Sequence, residues 1–538
     1  MKINKLIVPE YKNIAVDLEL RTDLITLLVG QNGMGKSNLL EILLLIFDEL
    51  NQLASGRRPS EADKTKFDYT LEYECRGHHY KAVKKDGQLS LWQPDSLLGE
   101  DGYEMMLVKI PFEALPNQIV GYYSGENKRI KELVSRHIKR EESSKRRRYS
   151  KGDIDEFEPR RLFFAENRHS MLVLTTLLLY REHPVYGLQI NKVLKDVVHI
   201  GEWNRIEVRF RNPSFAKMGQ LQNQHHTLND YYELLLQGDI PEGSNVFWGI
   251  KGDVDRLLSL LLNDSIIHGR KFSIKKAERG SREFFDLETI PADKEFRIQL
   301  FDEFPTPMDF LNTLEECYVL NMVDKLDVYL QKTRERAFYP YLQLSEGEQQ
   351  YLTVMGLIAL AHSRQDETLF LLDEPDTHIN PQWQRSYINH ILDLSRTKAE
   401  KKSKAFFIST HSPFLVQANS HGNPDVDVLL FKRDEKGQVQ IDTEDDEVFN
   451  NWRIDQVLMS KFFDLPSSRP ASLDDFMERR KAVIEGDMKN DSRNSLTGDL
   501  DKFGYLPTGE TIAEVEAMMF IHNLAEELRK KGGTDEIH

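Results

Sequence analysis

Residues 24–44 constrain this chain more than any others. An apolar run, Leu24-Ile25-Thr26-Leu27-Leu28-Val29, meets Gly30-Gln31-Asn32-Gly33-Met34-Gly35-Lys36-Ser37, and a helical pattern, Leu39-Leu40-Glu41-Ile42-Leu43-Leu44, follows at once. The first run reads as a buried strand and the last as the helix after it. The eight residues between them fit the phosphate-loop pattern G-x-x-x-x-G-K-[ST] without a mismatch. Glycines in such a turn let backbone N–H groups converge on an anion, and the helix start adds its positive end. Phosphate oxygens are therefore expected beside Gly30, Asn32, Gly33, Gly35 and Asn38, with Lys36 on the β and γ phosphates and the Ser37 hydroxyl on Mg²⁺. ATP and Mg²⁺ are the ligands this implies.

Two later stretches belong with that loop. Thr368-Leu369-Phe370-Leu371-Leu372 is an apolar strand ending in Asp373-Glu374-Pro375. Carboxylates at a strand's end suit metal work, so Asp373 is expected to hold Mg²⁺, and Glu374 to act as the base that polarises the attacking water. Ala405-Phe406-Phe407-Ile408 is another buried strand, running through Ser409-Thr410 into His411, which reads as a sensor of the terminal phosphate. The segment Leu344-Ser345-Glu346-Gly347-Glu348-Gln349-Gln350 precedes both, with Ser345 lying 309 positions beyond Lys36. That gap exceeds what one compact nucleotide fold requires, so an insertion is nested inside it.

Composition bounds the rest. A chain of 538 residues, 40% hydrophobic and 29% charged, has room for two or more globular domains. Cys75 and Cys317 show no metal-ligand spacing and read as buried thiols. The longest apolar segments, near Leu39 to Phe47 and Met171 to Tyr180, fall short of the ~20 residues of a membrane span, and no cleavable signal is visible at Met1. A cytoplasmic protein without a membrane is expected. The formal net charge is −16, yet Lys128 to Arg148 holds ten Lys or Arg against three Glu. With few aromatics interleaved, that region suggests sequence-blind contact with nucleic-acid phosphates. His268-Gly269-Arg270-Lys271 with Lys275-Lys276 would extend the surface.

Within the gap, Lys66 to Tyr73 and His79 to Lys84 alternate like antiparallel strands, and Asn117 to Tyr123 reads as a strand. Ser170 to Tyr180 and Val254 to Leu262 read as helices, Arg205 to Phe210 and Phe296 to Phe301 as strands, and Phe163 to His169 as a helix-start network. No heptad is sustained over many turns, which excludes a long coiled-coil arm. Asp425-Val426-Asp427 reads as the loop before a last strand rather than a metal site, and Asp442 to Glu447 as a solvated acidic turn. Trp452 to Leu458 with Phe462 to Leu465, and later Ile512 to Ile521, read as amphipathic helices.

In order, the phosphate loop, the Ser345-centred signature, Asp373-Glu374, the Asp376 loop and His411 resemble the ATP-binding cassette (ABC) class of P-loop ATPases. The resemblance is to the branch holding SMC proteins, their repair relatives, RecF and the OLD-type proteins. It implies an α/β fold. An ABC/SMC-type P-loop ATPase head (1–127 and 336–440) would carry a nested, mainly helical insertion (128–335) and a C-terminal helical tail for partner docking (441–538). It further implies that Ser345, Gly347 and Glu348 of one subunit close over ATP held by another, giving a homodimer or higher homo-oligomer. In that class a glutamine follows the strand ending at Tyr123; none stands there, and Glu126 or Asn127 would substitute.

Tyr122-Tyr123-Ser124-Gly125-Glu126-Asn127 and the run Asp376-Thr377-His378-Ile379-Asn380-Pro381 narrow the resemblance to PtuA-type ATPases of Septu and retron-associated antiphage systems. That resemblance implies control of a separate HNH nuclease of the PtuB type, and in retron settings a reverse transcriptase with its msDNA. No nuclease activity of the chain's own is expected. Two other readings stand beside it: a RecF-like DNA-repair clamp, and an ATP-bound scaffold with little turnover.

Overall fold

The computed structural model describes residues 1–124, 161–213, 247–276 and 282–475, except 21–23, 57–63, 94–104, 108, 167–168, 249, 362–366, 396–403, 418–424, 435–436, 444–451, 461, 464 and 466–469. It also describes 219–221, 224–226 and isolated positions within 135–147 and 232–237. The helix expected at Ile512 to Ile521 and nearly all of Lys128 to Arg148 lie outside the described residues, as do Glu126 and Asn127.

The N-terminal strands are Lys2–Tyr11 (β1), Ile14–Glu19 (β2), Ile25–Gly30 (β3), Tyr69–Cys75 (β4), His78–Lys85 (β5), Gln88–Gln93 (β6), Met105–Leu107 (β7) and Gln118–Tyr123 (β8). They continue with Leu162–Ala165 (β9), Ile200–Arg211 (β10), Gly219–Leu221 (β11), Gln224–His226 (β12), Phe272–Lys276 (β13), Glu283–Leu287 (β14), Val323–Lys332 (β15) and Tyr339–Pro340 (β16). The last four are Thr368–Asp373 (β17), Lys404–Ser409 (β18), Val426–Arg433 (β19) and Val439–Thr443 (β20). Among the described residues one sheet joins thirteen of these strands, in the order β7-β6-β5-β4-β1-β2-β20-β19-β3-β18-β17-β8-β9. From β19 to β9 neighbours run parallel, while β1, β4, β5, β6 and β7 form an antiparallel wing. The parallel strands β3, β17 and β18 are buried at every residue, which is why they read as unbroken apolar runs rather than alternating ones.

The sheet separates two cores. Leu369, Leu371 and Phe407 face the helix Lys36–Ala54 (α1) on one side, whereas Phe370, Leu372, Phe406 and Ile408 face the other. There the covering helices are His169–Tyr180 (α2), Glu346–Leu360 (α6) and Pro381–Ser395 (α7). Helix α2 is apolar all round, as a helix buried between sheet and neighbours must be.

Residues 200–340 carry a second sheet as well as helices. Strands β13-β14-β10-β15-β16 form a five-stranded antiparallel sheet, packed with Asp253–Ile267 (α3), Lys294–Glu303 (α4) and Pro307–Val319 (α5). Its core is continuous with that beneath the large sheet. Strand β9 pairs in parallel with β8, so residues 162–165 extend the large sheet itself.

Phe296 to Phe301, expected as a strand, is helical within α4. Asp293 caps that helix by accepting from the Phe296 N–H at 3.0 Å, and Phe296 and Leu300 are buried while Ile298 between them is exposed, as a helix but not a strand face places them. Within the basic segment at 268–276, Arg270 pairs with Asp264 and Asp293, while the exposed Lys271 and Lys275 lie near Glu288 and Asp286. Cys75 and Cys317 are buried. Among the described residues of the tail, Ile454–Met459 forms a short helix (α8), with Val457 and Phe462 in the core. Among the described residues no helix is long and apolar enough to cross a membrane.

Candidate nucleotide site

The parallel strands deliver their carboxyl ends to one place. Tyr123 lies opposite Asp373, Asp373 opposite Ser409, and Gly30 opposite Phe431. Ligands of open α/β sheets bind at such ends, where the strands stop and loops begin. A cavity of about 510 Å³ opens here, lined by Asn32, Gly33, Gly35, Lys36, Ser37, Asn38, Asp373, Glu374 and His411 together with Lys12, Asn13, Glu41 and Tyr123.

Gly35 ends the loop at φ 93°, and a Cβ there would overlap the Ile14 side chain at the start of β2, so only glycine fits. Helix α1 follows with no side-chain cap and no acid in its first turn. Its free N–H groups therefore keep their positive potential for an anion.

Lys36 is 5% exposed and donates three hydrogen bonds, to Gly30 O (2.7 Å), Gln31 O (3.2 Å) and His411 Nε2 (2.9 Å). An ammonium has three protons, so each is used. Burial lowers the Lys36 pKa to about 8, with Glu374 and Asp373 opposing that shift. Burial, reinforced by the Lys36 charge, lowers His411 to about 4. His411 is thus neutral near pH 7, and its Nε2 lone pair accepts from Lys36, which assigns the remaining proton to Nδ1.

Asp373 is 2% exposed and accepts from Ser37 Oγ at 3.0 Å and from Ser409 Oγ. Burial raises its pKa to about 6 against the pull of those two hydroxyls. A buried carboxylate beside a serine hydroxyl is a hard-oxygen pair that suits Mg²⁺, which takes few protein ligands and relies on substrate phosphates and water for the rest. The residues fit that ion, with Ser37 and Asp373 as the side chains that would hold it.

Glu374 sits at φ 48°, a left-handed backbone that costs a non-glycine residue on the order of 1–3 kcal/mol. Its N–H donates to Ser409 O and Ser409 Oγ, both at 3.1 Å, and its carboxylate lies 3.5 Å from His411 Nε2. The half-exposed side chain can thus meet solvent beside the buried Lys36 and Asp373.

Sequence reasoning missed the β1–β2 turn. Asn13 donates to Gly33 O at 3.0 Å and accepts from Asn38 at 2.5 Å, stapling the turn to the loop. Glu41, 2% exposed on α1, pairs with Lys12 and accepts from Tyr11 Oη at 3.1 Å. The signal was present: a single acid within Leu39-Leu40-Glu41-Ile42-Leu43-Leu44 has to be buried, and a buried charge needs a partner.

Ser345, Gly347 and Glu348 do not line this cavity. They begin α6, where Ser345 caps the helix. Its Oγ accepts from the Glu348 N–H at 3.3 Å, its N–H donates to Glu348 Oε2 at 2.8 Å, and Lys332 pairs with Glu348 at 2.6 Å. A second link ties α6 to the site's own loop: Gln350 Nε2 donates to Pro375 O at 2.7 Å.

Known proteins bear on this geometry. A family model described as "AAA ATPase domain" matches residues 1–173, and one described as "AAA domain, putative AbiEii toxin, Type IV TA system" matches residues 222–417. The first contains the Lys36 loop; the second contains Ser345, Asp373, Glu374 and His411. Among solved structures, an Smc head bound to the C-winged helix domain of ScpA aligns over 82% of this chain and 98% of its own, at 12% identity and a TM-score of 0.31. An Smc head with an extended coiled coil from Pyrococcus furiosus aligns over 82% and 96%, at 13% identity and 0.32. The recombination mediator protein RecF with ATPrS aligns over 82% and 97%, at 14% identity and 0.28. No curated protein matches the chain. The phosphate loop lies in one matched segment and the carboxylate pair and histidine in the other, so both sides of the cavity fall in stretches similar to AAA ATPase domains.

Proposed function

We propose that this chain is the ATP-binding and ATP-hydrolysing regulatory subunit of a bacterial antiphage defence complex of the PtuA type. Two copies close on ATP and Mg²⁺, the Lys36 loop of each facing Ser345 and Gly347 of the other, and hydrolysis assisted by Glu374 loosens the pair. The observation that carries this reading is the division within one chain. Lys36, Ser37, Asp373, Glu374 and His411 share a cavity, whereas Ser345, Gly347 and Glu348 start a helix outside it.

The chemistry follows from the residues. Lys36 neutralises phosphate charge once a phosphate oxygen replaces the carbonyls it now contacts. Ser37 and Asp373 would hold Mg²⁺, which supplies charge neutralisation between phosphates. Glu374 orients and deprotonates water, and neutral His411, once Lys36 has turned to phosphate, donates a ring N–H to a terminal phosphate oxygen. The nuclease chemistry then belongs to a partner, an HNH nuclease of the PtuB type, joined in retron-associated systems by a reverse transcriptase with its msDNA. Support for that assignment is the motif run from Asp376 to Pro381 with Tyr122 to Asn127, and nucleic acid is assigned to Lys128–Arg148.

Phosphate release from ATP by the purified chain, and its loss in Glu374→Gln, tests the enzymatic half. Native pull-down with the Glu374→Gln chain in MgATP tests the other half: an HNH nuclease among the retained proteins supports it. Nuclease activity in the purified chain itself contradicts it.

A further inference from the structure

Glu374 needs more than its own loop to keep its left-handed backbone. Thr377, three residues on, donates through Oγ1 to the Glu374 carbonyl at 2.6 Å and through N–H at 3.3 Å. These are local contacts that a tight turn provides for itself. The Ser124 hydroxyl reaches the same carbonyl at 2.6 Å from 250 positions away, and its own N–H donates to Asp373 O at 3.3 Å. Ser124 thereby ties the end of β8 to the peptide unit that follows the catalytic carboxylate.

We propose that Ser124 is a positioning residue for hydrolysis, holding Glu374 at the φ that aims its carboxylate at the space beside Lys36 and His411. The proposal rests on the ATPase reading above. Its physical basis is that fixing both ends of one residue fixes its Cα–Cβ direction. Ser409 holds the Glu374 N–H, while Ser124 and Thr377 hold the carbonyl. Without the carbonyl contacts, relaxation to an ordinary negative φ relieves strain and swings the side chain away. Because the two hydroxyls also lie 2.8 Å from each other, three oxygen pairs share only two protons. One hydroxyl can therefore serve the carbonyl alone, and Thr377 partly covers for the loss of Ser124.

Steady-state ATP hydrolysis tests this with Ser124→Ala, Ser124→Thr, Thr377→Ala and the Ser124→Ala/Thr377→Ala pair, beside Glu374→Gln. Ser124→Ala is expected to lower kcat by about three- to tenfold, the range of one hydrogen bond, with KM for ATP unchanged. Ser124→Thr, which keeps the hydroxyl, is expected to restore most of the rate. The double variant is expected to fall further than the product of the single effects, toward Glu374→Gln. A kcat for Ser124→Ala within twofold of the unsubstituted chain overturns the proposal, as does a loss in KM alone or an equal loss in Ser124→Thr. A chain that does not hydrolyse ATP overturns the functional reading and this proposal with it. Turnover abolished by Glu374→Gln but kept by Ser124→Ala overturns this proposal alone.

Discussion

Gly347 packs so closely on His378 that a Cβ there would overlap the His378 carbonyl oxygen. The start of α6 is thereby locked to the loop after Asp373 and Glu374, and Gln350 adds a bond to Pro375 O at 2.7 Å. Gly347→Ala must push these backbones apart. It is expected to lose about 1–3 kcal/mol of stability in urea denaturation and to lower ATP turnover. Unchanged stability would mean that the contact yields without cost.

The pH dependence of the site has two limbs. Lys36, lowered to about 8 by burial, must be an ammonium to bind phosphate, so ATP binding takes up a proton as pH rises above that value. Asp373, raised to about 6 by burial, must lose its proton to serve Mg²⁺, so Mg²⁺ binding weakens below that value. His411, lowered to about 4, stays neutral between the two. MgATP turnover is expected to be bell-shaped with limbs near these values, and calorimetry in two buffers should read the proton uptake on the alkaline side. A flat profile across both limbs would contradict the assignment.

Glu41 and Lys12 form the link that sequence did not supply. Glu41→Gln keeps shape but removes the charge, freeing Lys12 from the side of the cavity. The expected result is a loss of about 1–3 kcal/mol of stability, together with weaker ATP binding measured by fluorescent-nucleotide titration. Unaltered affinity would place Lys12 outside the nucleotide's reach.

Lys404, fully buried at the start of β18, donates to Ile358 O at 2.8 Å, and burial lowers its pKa to about 7. The folded value lies below the ordinary lysine value of 10.5, so the unfolded chain binds the proton more tightly. This group therefore costs stability in full below pH 7, and the cost fades as pH rises from there toward 10.5. Lys404→Met is expected to raise Tm most at mildly acidic pH and least in alkali. A uniform shift at every pH would remove titration as the cause.

Much of this site was legible in sequence because parallel strands buried on both faces leave unbroken apolar runs, and their carboxyl ends announce themselves by the residues that follow. Lys36, Asp373 and His411 are three such ends, and they meet in one cavity. The turn holding Lys12 and Asn13 was not legible, since its role depends on packing against α1 from the far side of the loop. Phe296 to Phe301 misled because Phe296, Ile298 and Leu300 alternate like a strand, while the cap at Asp293 and the exposure of Ile298 between buried Phe296 and Leu300 decide for helix. Ser124 belonged to a motif, but nothing in it pointed to Glu374, for a serine after a strand acquires this role only from the carbonyl it meets.

Sedimentation of the Glu374→Gln chain, alone and combined with Ser345→Arg, measures the claim that nucleotide joins two copies through the Ser345 helix start. In MgATP the single variant is expected to at least double its mass and in MgADP to fall back, while the combined variant binds ATP yet keeps the mass it has without nucleotide. One mass in all nucleotide states, or the same ATP-driven increase with Ser345→Arg, would contradict the account.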